Sequence, residues 1–147
     1  MTLRIALVDD NPMDRHLAAE ALDEVCPGCV AETFASGQAL LRHLHAAPLP
    51  DLLLLDLNMP GLTGLDVLQA LKADPRLSLM PVVVLTTSSA PSDIEQAYAL
   101  HASSYLVKAA TFTEFLGQVD ALIRYWTLNR TVPARSAEFS RRSARSA

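Results

Sequence analysis

Apolar residues fall in short runs, separated by breaks rich in polar residues, Pro and Gly. Leu3 to Val8 reads as a buried strand and stops abruptly at Asp9-Asp10-Asn11-Pro12. Asn11 is a good helix N-cap, and Pro12 suits the first helical position, where its missing N–H costs nothing. Leu17, Ala18, Ala21, Leu22 and Val25 then recur at helical spacing up to Pro27-Gly28. Val30 to Phe34 predicts a short strand. Ser36 caps a second helix carrying Ala39, Leu40, Leu41 and Leu44, which Pro48 and Pro50 bring to an end.

Asp51 to Leu57 is almost wholly apolar, the mark of a strand covered on both faces. Its one internal acid, Asp56, stands near its end. Asn58 to Gly64 predicts a loop, and a helix with Leu65, Leu68 and Leu71 runs to about Ala73. Val82 to Leu85 is a second all-apolar strand, followed by Thr86-Thr87-Ser88-Ser89. Pro91 and Ser92 open a helix through Leu100. Ser104 to Val107 makes a fifth strand, closed by Lys108. The last helix begins near Thr111 or Thr113 and passes Trp126, with Leu116, Val119, Ile123 and Trp126 as its apolar stripe. Five strands alternate with five helices, so the strands are parallel and the crossovers right-handed. Continuous apolar strands require helices on both faces. The fold class is therefore α/β, a doubly wound parallel sheet.

Composition adds bounds. The 147 residues suit one domain, and half are apolar, enough for a continuous core. No apolar run approaches a membrane span. The first residues show no charged leader before a cleavable apolar stretch, so a cytoplasmic protein is expected. The net charge of −4 is uneven: residues 131–147 sum to +3, which leaves −7 for residues 1–130. An acidic folded part argues against a broad nucleic-acid surface. We expect one domain over 1–130 and a solvated Ser/Arg-rich tail over 131–147, too short and polar to be a DNA-binding module.

In doubly wound sheets ligands sit outside the carboxyl ends of the strands. There this chain sets Asp9 and Asp10 after strand 1, Asp56 after strand 3, Thr86 after strand 4 and Lys108 after strand 5. Clustered carboxylates repel, and a hard divalent cation resolves the repulsion. Oxygen ligands with positions left for water suit Mg²⁺. Lys108 adds a positive charge and Thr86 a hydroxyl donor. These are the parts that phosphoryl transfer needs. A carboxylate can be the nucleophile, and Asp56 is the best candidate because an acid after four leucines is costly without partners. Asp9 and Asp10 are then metal holders, with a backbone carbonyl, most plausibly that of Asn58, beside them. Taken singly, Asp10 or Asn11 reads as a helix cap, Thr86 as a turn residue and Lys108 as a solvated side chain. Their conjunction on one rim carries the reading.

Leu7-Val8-Asp9-Asp10-Asn11, Leu55 to Gly64, Val83-Val84-Leu85-Thr86-Thr87 and Ser104-Tyr105-Leu106-Val107-Lys108 together resemble the CheY-like receiver domains of response regulators, over about residues 3–128. The resemblance implies a flavodoxin-like strand order of 2-1-3-4-5. It implies that Asp56 accepts phosphate from a histidine kinase. Asp10, Asp56 and the Asn58 carbonyl would bind Mg²⁺, with Asp9 acting mainly through water. Thr86 and Lys108 would hold the phosphoryl oxygens. Tyr105 would be an aromatic switch moving with Thr86. Such a protein is a phosphoacceptor rather than an enzyme, catalysing only its own phosphorylation and dephosphorylation. The family usually has Pro after the Lys, often cis. Here Ala109 follows Lys108, so a trans bond and another path for the next loop are expected. Arg124-Tyr125-Trp126-Thr127-Leu128, then Val132-Pro133, resembles the stand-alone receivers that partner phytochrome-type kinases. That implies a homodimer through the last helix, with Tyr125, Trp126 and Leu128 on an apolar face; otherwise Trp126 packs on its own domain.

Other readings are weaker. An aspartyl phosphatase needs Asp-x-Asp after strand 1, whereas Asp9 and Asp10 are adjacent. A phosphate-independent interaction module would not need the full set of Asp9, Asp10, Asp56, Thr86 and Lys108. Cys26-Pro27-Gly28-Cys29 is a spacing used by redox dithiols and half zinc sites. No second ligand cluster accompanies it, and it follows a helix rather than opening one, so structural or incidental cysteines are expected.

Overall fold

The computed structural model describes residues 2–131. The expected Ser/Arg-rich tail lies, from position 132 on, outside the described residues. The elements run β1 (Arg4–Val8), α1 (Pro12–Val25), β2 (Val30–Phe34), α2 (Gly37–Ala46), β3 (Leu52–Leu55), α3 (Gly64–Ala73), β4 (Val82–Thr86), α4 (Pro91–Ala99), β5 (Ser104–Val107) and α5 (Phe112–Thr131). All four strand pairings are parallel, in the order β2-β1-β3-β4-β5. The α/β class and the strand order are as expected.

Alternation along the central strands divides the core. Val8, Leu53, Leu55 and Val84 face Leu40, Leu44, Val67 and Leu71 from α2 and α3. Ile5, Leu7, Leu52, Leu54 and Val83 face Ala21, Leu22, Phe115 and Val119 from α1 and α5. Successive strand residues point to opposite faces, so a run of four leucines feeds two cores at once. Leu52 to Leu55 are fully buried, each worth about 1.5–3 kcal/mol against an exposed side chain.

The helix starts are chemical. Asn11 Oδ1 accepts from the Met13 and Asp14 amides, with Pro12 first in α1. Ser36 Oγ accepts from Ala39 N–H at α2. Thr111 Oγ1 accepts from Glu114 N–H at α5, which settles the choice between Thr111 and Thr113. Several boundaries differ from expectation by a residue or two, and two of them bear on the site. β3 ends at Leu55, so Asp56 and Leu57 lie beyond the strand. α3 begins at Gly64, where Thr63 and Asp66 form a capping box.

Cys26 and Cys29 are joined as a disulfide across the turn from α1 to β2. With each sulfur bonded to the other, neither is a zinc ligand. The turn lies at the start of β2, whose Val30 pairs with Arg4 at the start of β1. It therefore stands at the opposite end of the sheet from Asp9. Trp126 is half-buried and packs on its own domain, edge-on to Tyr125, while Tyr125 and Leu128 are exposed. Among the described residues no helix is long and apolar enough to cross a membrane.

Candidate functional site

β1 and β3 are adjacent, so the residues after them emerge side by side. Asp9 N–H donates to Phe34 O at 3.1 Å, and Asp56 N–H donates to Val8 O at 3.1 Å. The ladder thus extends one residue beyond each strand and carries the acids to the rim. Asp9, Asp10 and Asp56 each offer a carboxylate oxygen within 4.8 Å of the others. Asp9 and Asp56 are buried, and Asp10 is half-buried. Three hard oxygen donors at this spacing, with too little positive charge among them, fit a divalent cation.

The two buried acids accept hydrogen bonds from nearby amides. Asn11 N–H donates to Asp9 Oδ1 at 3.0 Å, and the Arg15 guanidinium donates to the Asp9 carbonyl at 2.8 Å. Asn58 N–H donates to Asp56 Oδ1 at 3.3 Å. Burial nevertheless pushes the Asp56 carboxyl above the usual carboxylate value, and the charge of Asp9 adds to the push. The Thr86 hydroxyl, the Lys108 charge and the Asn58 amide oppose it without cancelling it.

Thr86 is fully buried at the end of β4. Its Oγ1 accepts from Asn58 Nδ2 and from Ser88 N–H, both at 3.4 Å. Lys108 follows β5, and its N–H donates to Thr86 O at 2.8 Å. Its ammonium donates to Asp9 Oδ2 at 2.6 Å, with Asp14 Oδ2 3.5 Å away. Burial alone pulls the Lys108 pKa down, but the bond to Asp9 and the charges of Asp9, Asp56 and Asp14 reverse this, and the net shift is upward. The side chain stays an ammonium. In this state it neutralises Asp9 rather than pointing its charge chiefly at Asp56.

Tyr105 sits one layer back. It is half-buried against the α2–α3 core, and its hydroxyl donates to Ser88 O at 2.8 Å. Burial raises its pKa, so the phenol keeps the proton it donates. Ser88 Oγ donates to Asp93 Oδ2 at 2.5 Å and accepts from Ala90 N–H, which ties the loop to α4 where Ala90 offers no cap of its own.

Asp9, Asp10, Asp56, Thr86 and Lys108 thus share one rim, and Tyr105 is linked to it through Ser88. Two participants, Asp14 and Gln118, escaped the sequence reading, and so did the structural part played by Ser88. Asp14 stands in the first turn of α1, directly after the Asp9-Asp10 pair, and that nearness was available as a signal. Ser88 acts partly through its backbone carbonyl, which no residue type announces. Gln118, on α5, contacts the backbone on either side of Lys108.

Comparison with known proteins agrees with this geometry. Residues 5–120 match the response regulator receiver domain. The response regulator Rcp1 of Synechocystis sp. is 34% identical over 136 residues, spanning 88% of this chain and 92% of Rcp1. The crystal structure of the phosphorylated cyanobacterial phytochrome response regulator RcpA is 35% identical, covers 86% of this chain and 95% of its own, and superposes with a TM-score of 0.80. The Mn²⁺-bound form of Rcp1 is 33% identical, covers 84% and 94%, and gives a TM-score of 0.77.

Proposed function

This chain belongs to the response regulator receiver domain family, and from that premise we propose that it is a single-domain response regulator that accepts a phosphoryl group on Asp56 from a histidine kinase. The family serves two-component signalling. The observation that carries the proposal is the convergence of three carboxylates, a buried hydroxyl and an ammonium on one rim.

Asp9, Asp10, Asp56 and the Asn58 carbonyl are the groups that would hold Mg²⁺. Bound there, the ion supplies the positive charge that the carboxylates and a transferring phosphoryl group require. Asp56 is then ionised, and one of its oxygens bonds to phosphorus as the donor's N–P bond breaks, the electron pair staying on the imidazole nitrogen. Thr86 Oγ1–H and the Lys108 ammonium donate to the phosphoryl oxygens. On this reading the chain is a phosphoacceptor rather than an enzyme, catalysing only its own phosphorylation and dephosphorylation.

The signal follows from the Thr86–Ser88–Tyr105 link. A Thr86 hydroxyl drawn to the phosphoryl group pulls the loop whose Ser88 carbonyl holds Tyr105. The face built by α4, β5 and α5 then shifts between two populations. Along that face a groove of about 540 Å³, lined by Leu106, Leu122 and Trp126 among others, adjoins the exposed Tyr125 and Leu128. It supports a homodimer through the last helix. The likeness to RcpA, a cyanobacterial phytochrome response regulator, supports a phytochrome-type light-sensing kinase as partner, and such a partnership would be a cytoplasmic one. Domain limits of 1–130, with a separate tail over 131–147, belong to the same proposal.

Incubation with Mg²⁺ and acetyl phosphate should add one phosphoryl mass, and Asp56→Asn should abolish it. Persistent labelling of that variant removes Asp56 from the role. Phosphotransfer profiling against phytochrome-type and other histidine kinases, with sedimentation for oligomeric state, separates the finer readings.

A further inference from the structure

β5 is an edge strand. Its inner edge pairs with β4, and there Lys108 N–H finds Thr86 O. Its outer edge presents the carbonyl of Val107 and the N–H of Ala109 on the same side, because peptide groups alternate along an extended chain. Unpaired edge groups need a partner. Gln118 supplies it. Its Nε2 donates to Val107 O at 2.8 Å, and its Oε1 accepts from Ala109 N–H at 2.9 Å. One donor and one acceptor on the backbone fix which end of the amide is which. The side chain acts as a single peptide unit of an absent sixth strand, placed opposite Lys108.

The position of Gln118 is itself informative. It lies on α5 three residues after Phe115 and four before Leu122, both buried. A polar residue on that stripe is costly unless its amide is satisfied at both ends, and here both ends are. The contact also depends on Ala109. A proline there has no N–H to give. This chain therefore holds the backbone after Lys108 by a side-chain clamp.

We infer that Gln118 is a positioning residue for Lys108: by bonding to the backbone on both sides, it fixes where the ammonium can reach along the rim. The inference rests on the phosphoacceptor reading of that rim. Lys108 is not among the oxygen ligands and shares Asp9 with the cation, so loosening it weakens capture of the phosphoryl oxygens without weakening the hold on the metal.

The test is calorimetric titration of Mg²⁺, and then of beryllofluoride as a phosphoryl mimic at saturating Mg²⁺, with wild type, Gln118→Met and Gln118→Glu. Gln118→Met keeps the bulk and removes both hydrogen bonds. Gln118→Glu keeps the acceptor for Ala109 and sets a carboxylate oxygen against the Val107 carbonyl. Both variants should bind beryllofluoride about fivefold more weakly, the worth of one ordinary hydrogen bond. Their Mg²⁺ affinity should be no weaker than wild type, and the Ala109 amide should exchange faster with solvent. Unchanged beryllofluoride binding in both variants, or an equal loss of Mg²⁺ and beryllofluoride affinity, overturns the inference. Should wild type itself bind neither, the phosphoacceptor reading falls and takes the inference with it.

Discussion

On both sides of the rim the backbone ladder carries the residues to their places; on the β4–β5 side further contacts decide where the side chains reach. Asp9 and Asp56 leave central strands, each with its own amide still in the ladder. α3 is pinned beside them, since Gly64 N–H donates to Leu57 O. Lys108 and Tyr105 stand on or just after an edge strand. The Lys108 amide is in the ladder too, but the reach of these two side chains depends on Gln118, on the Asp9 carboxylate and on the Ser88 carbonyl of a loop. The β1–β3 half presents the charge that needs a partner. The β4–β5 half can exchange partners without disturbing the ladder. A receiver needs both properties, a fixed acceptor and movable contacts that read its state.

The largest effect is expected where that backbone approach is closest. A Cβ on Gly64 would lie 2.3 Å from Asp56 O and 2.5 Å from Leu57 Cα. Both are main-chain atoms on the segment that carries the phosphoacceptor, so neither moves cheaply. Gly64→Ala should cost about 3–5 kcal/mol and displace Asp56. Gly117, exposed on α5 with nothing within 4 Å of its Cβ position, provides the control. Gly117→Ala should gain up to about 1 kcal/mol through helix propensity. Urea unfolding of both variants reads the contrast. Equal, small changes would mean that α3 does not brace the acid half of the rim.

Next in size is the charge that crosses between the halves. Asp9 is 2% exposed, and in metal-free protein the Lys108 ammonium is its counter-ion. Lys108→Ala leaves that carboxylate buried and without its cation, which should cost about 3 kcal/mol in chelator. Saturating Mg²⁺ should recover most of the loss, because the ion supplies the missing charge. The raised Lys108 pKa gives the sign at high pH. The pair contributes fully below the ordinary lysine value of 10.5 and is lost as pH rises through the higher folded value. A Lys108→Ala deficit that Mg²⁺ leaves untouched would show that Lys108 acts by packing instead of charge.

The same division explains what could be read from the chain. Leu52 to Leu55 and Val82 to Leu85 announce central strands because burial on both faces demands unbroken apolar runs. Once those strands are placed, topology alone brings Asp9, Asp10, Asp56 and Thr86 to one edge. Asn11, Pro12 and Ser36 announce helix starts because caps have few chemical solutions. Chain order also puts Thr86 and Lys108 on the rim, but it does not announce their partners. Nothing in the pattern of β5 says that Lys108 pairs with Asp9 or that Tyr105 reaches a main-chain carbonyl. Gln118 sits on an apolar stripe, and periodicity alone does not show what satisfies its amide. The end of β3 was set too late, since Leu57 continues the apolar pattern after the ladder has ended.

The smallest predicted effect tests whether the acid half stores an electrostatic cost. Burial first, and the charge of Asp9 after it, hold the Asp56 carboxyl above its ordinary value of 3.8. The folded protein therefore binds that proton more tightly than the unfolded chain does. Between 3.8 and the raised folded value, each step up in pH removes the proton at the fold's expense, so metal-free stability falls across that window and stays lower above it. Asp56→Asn carries no such charge. In chelator at neutral pH it should melt a few degrees higher than wild type, roughly the change that 1 kcal/mol produces in a domain of this size. The gap should close as pH drops below the ordinary carboxylate value, where neither protein is charged at this position. Adding Mg²⁺ should narrow it from the other side by stabilising wild type. Melting curves of both proteins against pH, with and without Mg²⁺, decide the matter. A gap that stays constant with pH would place the cost in the shape of the side chain, and the rim would then hold its three acids without the strain that calls for a cation.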